Sequence, residues 1–375
     1  MPLPRPFTGK TLVDICGLVC CLGYGWLGAL SQKSADVDLL HYFLILAVVW
    51  AGTLGALAVV RRAGSELALT RIVLWALAFR LIGIAGAPVL EDDFYRYLWD
   101  GRNFAVSGNP YGDRPIDHFL DTDLTEDFEA ILDGINHPEL PTIYGPVNQL
   151  AFLASYVVAP GKLWPLKLLL LFADLATLVI LLRFGAGVNI LLYAWCPLLI
   201  QETFFTAHPD SFGIALMLAA LQFRSRGRFS TAASFAALAV GARVFAILLV
   251  PFVLLRAPVK SWLLFAAMLL GLYLPFLLMG STGPASAFSA FAQGFEFNSS
   301  GYALLALILD AGVAKIVAAA LFASFYAVHL LGWWKNGKFP PRGDWLYGVL
   351  LLFVARLESV VRAVASSLRH AFPVA

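Results

Sequence analysis

The stretch IVLWALAFRLIGIAGAPVL at residues 72–90 runs without interruption into EDDFYRYLWDGR at residues 91–102. The first part is close to the roughly 20 apolar residues that a membrane-spanning helix needs. The second part marks where the chain leaves hydrocarbon. Residues 91–147 hold 13 of the 24 acidic residues against three basic ones, Arg96, Arg102 and Arg114. A segment of net charge −10, set in a remainder of net charge +12, cannot lie in lipid and reads as a solvated loop.

Hydrophobic residues make up 60% of the chain and charged residues 13%, with a mean hydropathy of +0.79. Soluble proteins carry about 25% charged residues, so the chain reads as an integral membrane protein. Further apolar runs at 39–60, 261–279 and 303–332 point to an all-α polytopic fold of about ten spans, some short or broken. Ten-residue alternating strands are lacking, which excludes a closed barrel. Cys16, Cys20, Cys21 and Cys196 lie in apolar segments and read as small buried hydrophobes rather than disulfides or metal ligands. Residues 1–375 are read as a single membrane domain, with one large extracytoplasmic loop at 91–147 and a second at 280–300. No nucleic-acid partner is expected.

Arg5 and Lys10 precede an apolar run that Asp14 interrupts, so the run reads as a first span rather than a cleaved signal. Basic loops should face the cytoplasm. Arg61, Arg62 and Arg71 form one, Arg224, Arg226 and Arg228 another, Arg256 and Lys260 a third, and Lys335 and Lys338 a fourth. With the first loop inside, the N-terminus is cytoplasmic and the acidic loop is outside. Reaching Arg224 then requires an odd number of crossings, supplied by 166–182, 190–203 and 211–223. The patch 150–158 is left as a re-entrant or interfacial piece, and the run 231–255 should turn back near Arg243. Broken helices of this kind are tolerated where they line a cavity. The parity brings Asp92, Asp93, Glu202, His208, Asp210, Arg243 and the loop 281–300 to one outer face. Beyond residue 345 the pattern decays into an incomplete span or interfacial helix.

Phe94, Tyr97, Leu98, Gly101, Phe104 and Ala105 recur at helical spacing, and Gly108-Asn109-Pro110-Tyr111 stops the pattern. This predicts an interfacial amphipathic helix with Asp92 and Asp93 at its N-terminus. One aspartate can serve as an N-cap, and the second needs another task. A carboxylate at the water–membrane boundary suits a general base or a metal ligand. Glu202, His208 and Asp210 together suggest a pocket, or else the water boundary itself. Arg243, with no acid near it in sequence, calls for an anion such as phosphate, or for a structural partner such as Asp174 or Asp310. Arg96 and Arg102 read as solvated surface positions. His137 and Tyr144, in a proline-bounded return loop, and Asn298, in an aromatic and amide-rich segment that also matches a glycosylation sequon, are candidate sugar contacts.

These motifs, from Glu91-Asp92-Asp93 through Gly108-Asn109-Pro110-Tyr111, Asn136-His137-Pro138, Tyr144-Gly145-Pro146, Cys196-Pro197-Leu198 and His208-Pro209-Asp210 to Phe297-Asn298-Ser299, resemble bacterial polyprenyl-phosphate-mannose-dependent mannosyltransferases of the polytopic GT-C type. The resemblance implies a hexose, mannose by this likeness, taken from a polyprenyl-phosphate donor. It implies a lipid or glycan acceptor outside the bacterial inner membrane and an aspartate of the first outer loop as base. Asp93 fits that position best, with Asp92 next to it. Arg243 and His208 would meet the donor phosphate, while Glu202, Asp210, His137, Tyr144 and Asn298 would line the substrate site. The resemblance names no certain cofactor, and a divalent metal at Asp92 and Asp93 is the one to consider. This chain departs from the family pattern in having Arg243 where relatives often have lysine, and in lacking the His-Pro-Trp-Tyr-like segment of their later spans. A transporter or flippase, or a catalytically inactive relative, is the competing expectation.

Overall fold

The computed structural model describes residues 9–33, 37–63, 69–280 and 305–336. Among them there are helices and turns but no strand. The first helices are α1 (Gly9–Ser31), α2 (Leu39–Ala63), α3 (Leu69–Ala85), α4 (Asp93–Ser107), α5 (Glu126–Asp133), α6 (Pro146–Val158) and α7 (Trp164–Arg183). They are followed by α8 (Leu191–Ala194), α9 (Pro197–Ile200), α10 (Asp210–Ser225), α11 (Phe229–Ala242), α12 (Val250–Leu254), α13 (Val259–Leu278) and α14 (Ala311–Asn336). The second outer loop, Asn298 and the segment beyond residue 345 lie outside the described residues.

Among the described residues five helices are long and apolar enough to cross a membrane: α1, α2, α7, α13 and α14. A sixth span arises if Gly187–Ala194 and Pro197–Phe205, bent by 52° at their junction, count as one. The expectation of about ten spans also counts short and broken runs, while the patch 150–158 is set apart there as re-entrant or interfacial. Several apolar segments form helices of 10–17 residues, such as Pro146–Val158 and Phe229–Ala242, which fall short of the roughly 30 Å of hydrocarbon at 1.5 Å per residue.

The helices alternate between two ends, and the charges sort with them. At one end Asp14 pairs with Arg71, and the Arg224 guanidinium donates to the Leu255 carbonyl at 2.8 Å. Arg256 reaches the Trp334 carbonyl there as well. At the other end the Ser31 hydroxyl accepts from the Ala87 amide at 3.0 Å, and Asn148 donates to the Ala242 carbonyl at 2.9 Å. Contacts of Arg71, Arg224 and Arg256 thus hold the helix ends that carry the basic loops, and contacts of Ser31 and Asn148 hold ends next to the acidic segment.

Two apolar clusters flank the acidic end. One joins α1, α2, α3 and the broken 187–205 segment, and the other joins α10 to α13. A smaller cluster of Tyr97, Phe152, Leu166, Leu170 and Ala207 fastens α4 and α6 to the tops of α7 and the broken segment. The Tyr144-Gly145-Pro146 motif is structural first. A Cβ on Gly145 would come within 2.1 Å of the Gly241 carbonyl oxygen, so a side chain there would push α6 off the end of α11.

Candidate active site

The acidic segment folds as a polar clamp around α4. Gly108 closes the helix in the left-handed conformation, with φ of 73°, where a Cβ would be strained. Buried Asp100 collects Arg96 at 3.0 Å, Thr142 at 2.5 Å and Gln149 at 2.8 Å, tying the return loop to both α4 and α6. Arg96 also donates to the Leu140 carbonyl at 2.9 Å, so it is an internal strut and not the solvated residue expected. Arg102 lies over the rings of Trp99 and Phe128. The Tyr111 hydroxyl donates to the Tyr144 carbonyl at 2.9 Å and so fixes the backbone of a tyrosine whose hydroxyl bonds Asp93.

A chain of polar groups runs from that tyrosine. Its hydroxyl stands 3.3 Å from Asp93 Oδ2 and 3.4 Å from the Tyr97 hydroxyl, which is in turn 3.3 Å from His208 Nδ1. His208 Nε2 faces Glu91 Oε2 at 3.3 Å and Glu202 Oε2 at 3.6 Å. The His208 ring is buried, and desolvation acts to lower its pKa. Glu91, helped by Glu202 and Asp93, overcomes that and raises it to about 9, which leaves the imidazole protonated at neutral pH. Burial of the Tyr97 and Tyr144 hydroxyls, with the carboxylates beside them, pushes both well above the ordinary phenol value, so they remain hydrogen-bond donors.

Local backbone chemistry holds this geometry. The Gln201–Phe205 turn is π-helical, one residue wider per turn than α. The His208 amide and the Thr206 hydroxyl both donate to the Glu202 carbonyl, at 2.9 and 2.6 Å, folding the histidine back over the turn. Leu90, His137 and Ala207 adopt positive φ of 57°, 55° and 62°. Such conformations cost about 1–3 kcal/mol each in residues with a Cβ and collect at functional sites. Here they directly precede Glu91 and His208 and adjoin Asn136.

The adjacent aspartates diverge. Asp93 enters the cluster, whereas Asp92 is exposed at its tip and meets Asn136 at 3.4 Å. Desolvation by the packed loop, with Glu91 second, raises the Asp92 carboxyl. Asp92 occupies the N-cap position without a capping side-chain bond, and the Asp93 amide donates to Glu91 Oε1 at 3.3 Å instead. The capping role therefore falls to Glu91, which sequence reasoning quoted in its motif but assigned no task. Its signal in the sequence is the run of three consecutive acids at the helix start. Carboxylate oxygens of Glu91 and Asp93 and a His208 nitrogen lie within 4.8 Å of one another. This trio, rather than Asp92 with Asp93, would offer donors to a divalent cation, and only once the His208 imidazole gives up its proton.

Arg243 begins the extended break after α11 and pairs with Asp210 at 2.8 Å. Neither Asp174 nor Asp310 is its partner. Asp174 pairs with Arg80, and Asp310 is exposed just before α14. Asp210 and Arg243 form the polar rim of an otherwise apolar cavity of about 70 Å³, whose walls include Phe245, Leu249, Phe322 and Tyr326. Gly145, next to Tyr144, packs on the Gly241 carbonyl, and Asn148 donates to the Ala242 carbonyl, so the return loop that faces Asp93 lies against the backbone that leads into Arg243. His137 lies apart, half exposed and 3.3 Å from Glu139.

Fold and site together define a helical membrane protein with an acid–imidazole cluster at one end of its bundle, beside an apolar cavity closed by an arginine. The MptA/B family model, described as alpha-(1->6)-mannopyranosyltransferase, N-terminal domain, matches residues 18–258. The chain belongs to this family of mannosyltransferases, and the match spans every residue of the cluster and the Arg243–Asp210 pair. No curated protein and no solved structure matches it.

Proposed function

We propose that the protein transfers mannose, with inversion, from a polyprenyl-phosphate donor to a hydroxyl of an extracytoplasmic lipid or glycan. The supporting observation is the adjacency of two environments that such a reaction needs. One is a carboxylate with fixed hydrogen-bond partners, and the other is an apolar cavity rimmed by a cation. The donor phosphate sits at Arg243 in place of Asp210, with the proximal end of its isoprenoid chain at the small apolar cavity between α10, the 244–249 turn and α14 and the rest of the chain in the surrounding lipid. Asp93 accepts the acceptor's hydroxyl proton as that oxygen bonds to the anomeric carbon. The bond from that carbon to the phosphate oxygen breaks on the opposite face, and polyprenyl phosphate leaves with the electron pair. Arg243 and protonated His208 meet its charge, which is the main demand of such a departure.

Tyr144 orients Asp93, while Glu202 and Glu91 keep His208 cationic. Asp210, released from Arg243 by the phosphate, is left to contact the sugar. Counting the short and broken segments as passes gives about ten, with a cytoplasmic N-terminus and the site facing outward from a bacterial inner membrane. A carrier reading draws no support from Asp174, whose charge is spent in a fully buried ion pair. The test is donor choice. Purified protein in proteoliposomes should transfer label from polyprenyl-phosphate mannose and none from nucleotide-linked mannose, and the reverse preference overturns the donor assignment.

A further inference from the structure

The break at Trp195-Cys196-Pro197 poses a problem in the apolar interior. Pro197 has no amide hydrogen, and a helix broken there leaves the 194 and 195 carbonyls without the amides four residues on. Side chains from neighbouring helices supply the missing donors. The Arg80 guanidinium of α3 donates to the Ala194 carbonyl at 2.8 Å, and the Thr53 hydroxyl of α2 donates to the Trp195 carbonyl at 3.2 Å. The Trp195 indole returns a bond to the Ile72 carbonyl at 2.8 Å. Arg80 is wholly buried, and its Nε meets Asp174 Oδ2 at 2.5 Å. The other oxygen of Asp174 accepts from Tyr193 at 2.7 Å, on the same broken segment.

The same contact surface continues to the site. The Arg80 guanidinium lies over the Phe204 ring at 5.5 Å, within the π-helical turn that carries Glu202. Gly83 and Gly86 of the α3 end have no Cβ where Phe204 and Phe205 dock, and an added Cβ would fall 2.6 and 2.5 Å from those side chains. Four and five residues past Gly86 the chain reaches Leu90 and Glu91, and three past Phe205 it reaches His208. A slip of the broken segment along α3 would therefore separate Glu91 from His208 by the same distance.

We propose that the buried Arg80–Asp174 pair, with Thr53, is a positioning device that fixes the register of the 187–205 segment on α3 and so sets the contact between His208 and Glu91. The guanidinium is needed for its shape, because it bonds a carboxylate through Nε and a carbonyl through Nη1 at once, which an ammonium on a straight stem does not do. The inference rests on reading the acid–imidazole cluster as the transfer site, and its first readout is independent of turnover.

In histidine-15N-labelled full-length protein in detergent, Arg80→Lys should fold and elute as wild type, yet move the His208 imidazole resonances away from their wild-type positions. In the transfer assay its kcat should fall about 10–100-fold, the scale for a misplacement near 1 Å, while KM for the lipid donor changes less than about threefold. If Arg80→Lys fails to fold, the neutral pair Arg80→Gln with Asp174→Asn takes its place with the same two readouts, and Thr53→Val should give a smaller change in the same direction. Unmoved His208 resonances together with wild-type kcat in a folded variant overturn the proposal. Moved resonances in a protein whose wild type transfers no mannose sustain the positioning role and reject the transferase reading instead.

Discussion

Replacing Glu91 by glutamine tests the electrostatics on which the site depends. His208 lies 3.3 Å from Glu91 and 3.6 Å from Glu202, and its pKa is raised from 6.5 to about 9. At about 1.4 kcal/mol per pH unit, that difference favours the folded imidazolium by about 3 kcal/mol. The folded value is the higher one, so this stabilisation is complete below about pH 6.5 and is lost as pH rises through about 9. An opposite charge at this range moves a titration by about 1–3 units. Glu91→Gln should therefore bring His208 down to about 6–8 and remove about 1–3 kcal/mol of stability near pH 7. The chain has six histidines, so nitrogen-15 spectra should be recorded on wild type and Glu91→Gln with His208→Gln as the assignment control. Unfolding midpoints from pH 6 to 9 should accompany them. A wild-type His208 that titrates near 6.5, or one that Glu91→Gln leaves unmoved, refutes the reasoning.

Arg243→Gln should lower kcat/KM for the lipid donor about 10–100-fold, since one cation on a departing phosphate is worth a few kcal/mol; steady-state kinetics in proteoliposomes measure it, and a change under threefold removes Arg243 from the site. Gly145→Ala should cost about 1–3 kcal/mol by forcing α6 away from the Gly241 carbonyl, read as a lower unfolding midpoint. Gly25→Ala, which adds a Cβ where nothing lies within 4 Å, is its control and should show no loss. A base must keep its lone pair free, so chelators should leave turnover unchanged. Turnover abolished by chelation and restored by a divalent ion would give Asp93 to a metal held with Glu91 and His208.

Much of the architecture could be read from charge and hydropathy because both are linear properties. The acidic segment had to leave the membrane, the Arg243 break had to turn the chain, and parity carried Asp210 to the same end as Asp93. Partner identity is not linear. Nothing in local sequence pairs Arg80 with Asp174, which lies 94 residues away, or turns Asp93 into the cluster and Asp92 out of it. Those choices depend on helix rotation, set by apolar packing that many sequences satisfy. Arg96 was misread for the same reason. Asp92, Asp93 and Asp100 all lie within four residues of it, and what selects Asp100 is the loop that buries both, recruited by Thr142 and Gln149 from farther along the chain. Glu91 was hidden by its neighbours, since three consecutive acids give no sign of which one meets a histidine 117 positions later.

The most direct test of the central claim compares mannose transfer by wild-type protein with transfer by Asp93→Asn and by Asp92→Asn, using labelled polyprenyl-phosphate mannose in membranes with matched protein levels. The account predicts transfer by wild type, a loss of about 100–10,000-fold in Asp93→Asn, the range for a missing general base, and less than about tenfold in Asp92→Asn. Undiminished transfer by folded Asp93→Asn would contradict it.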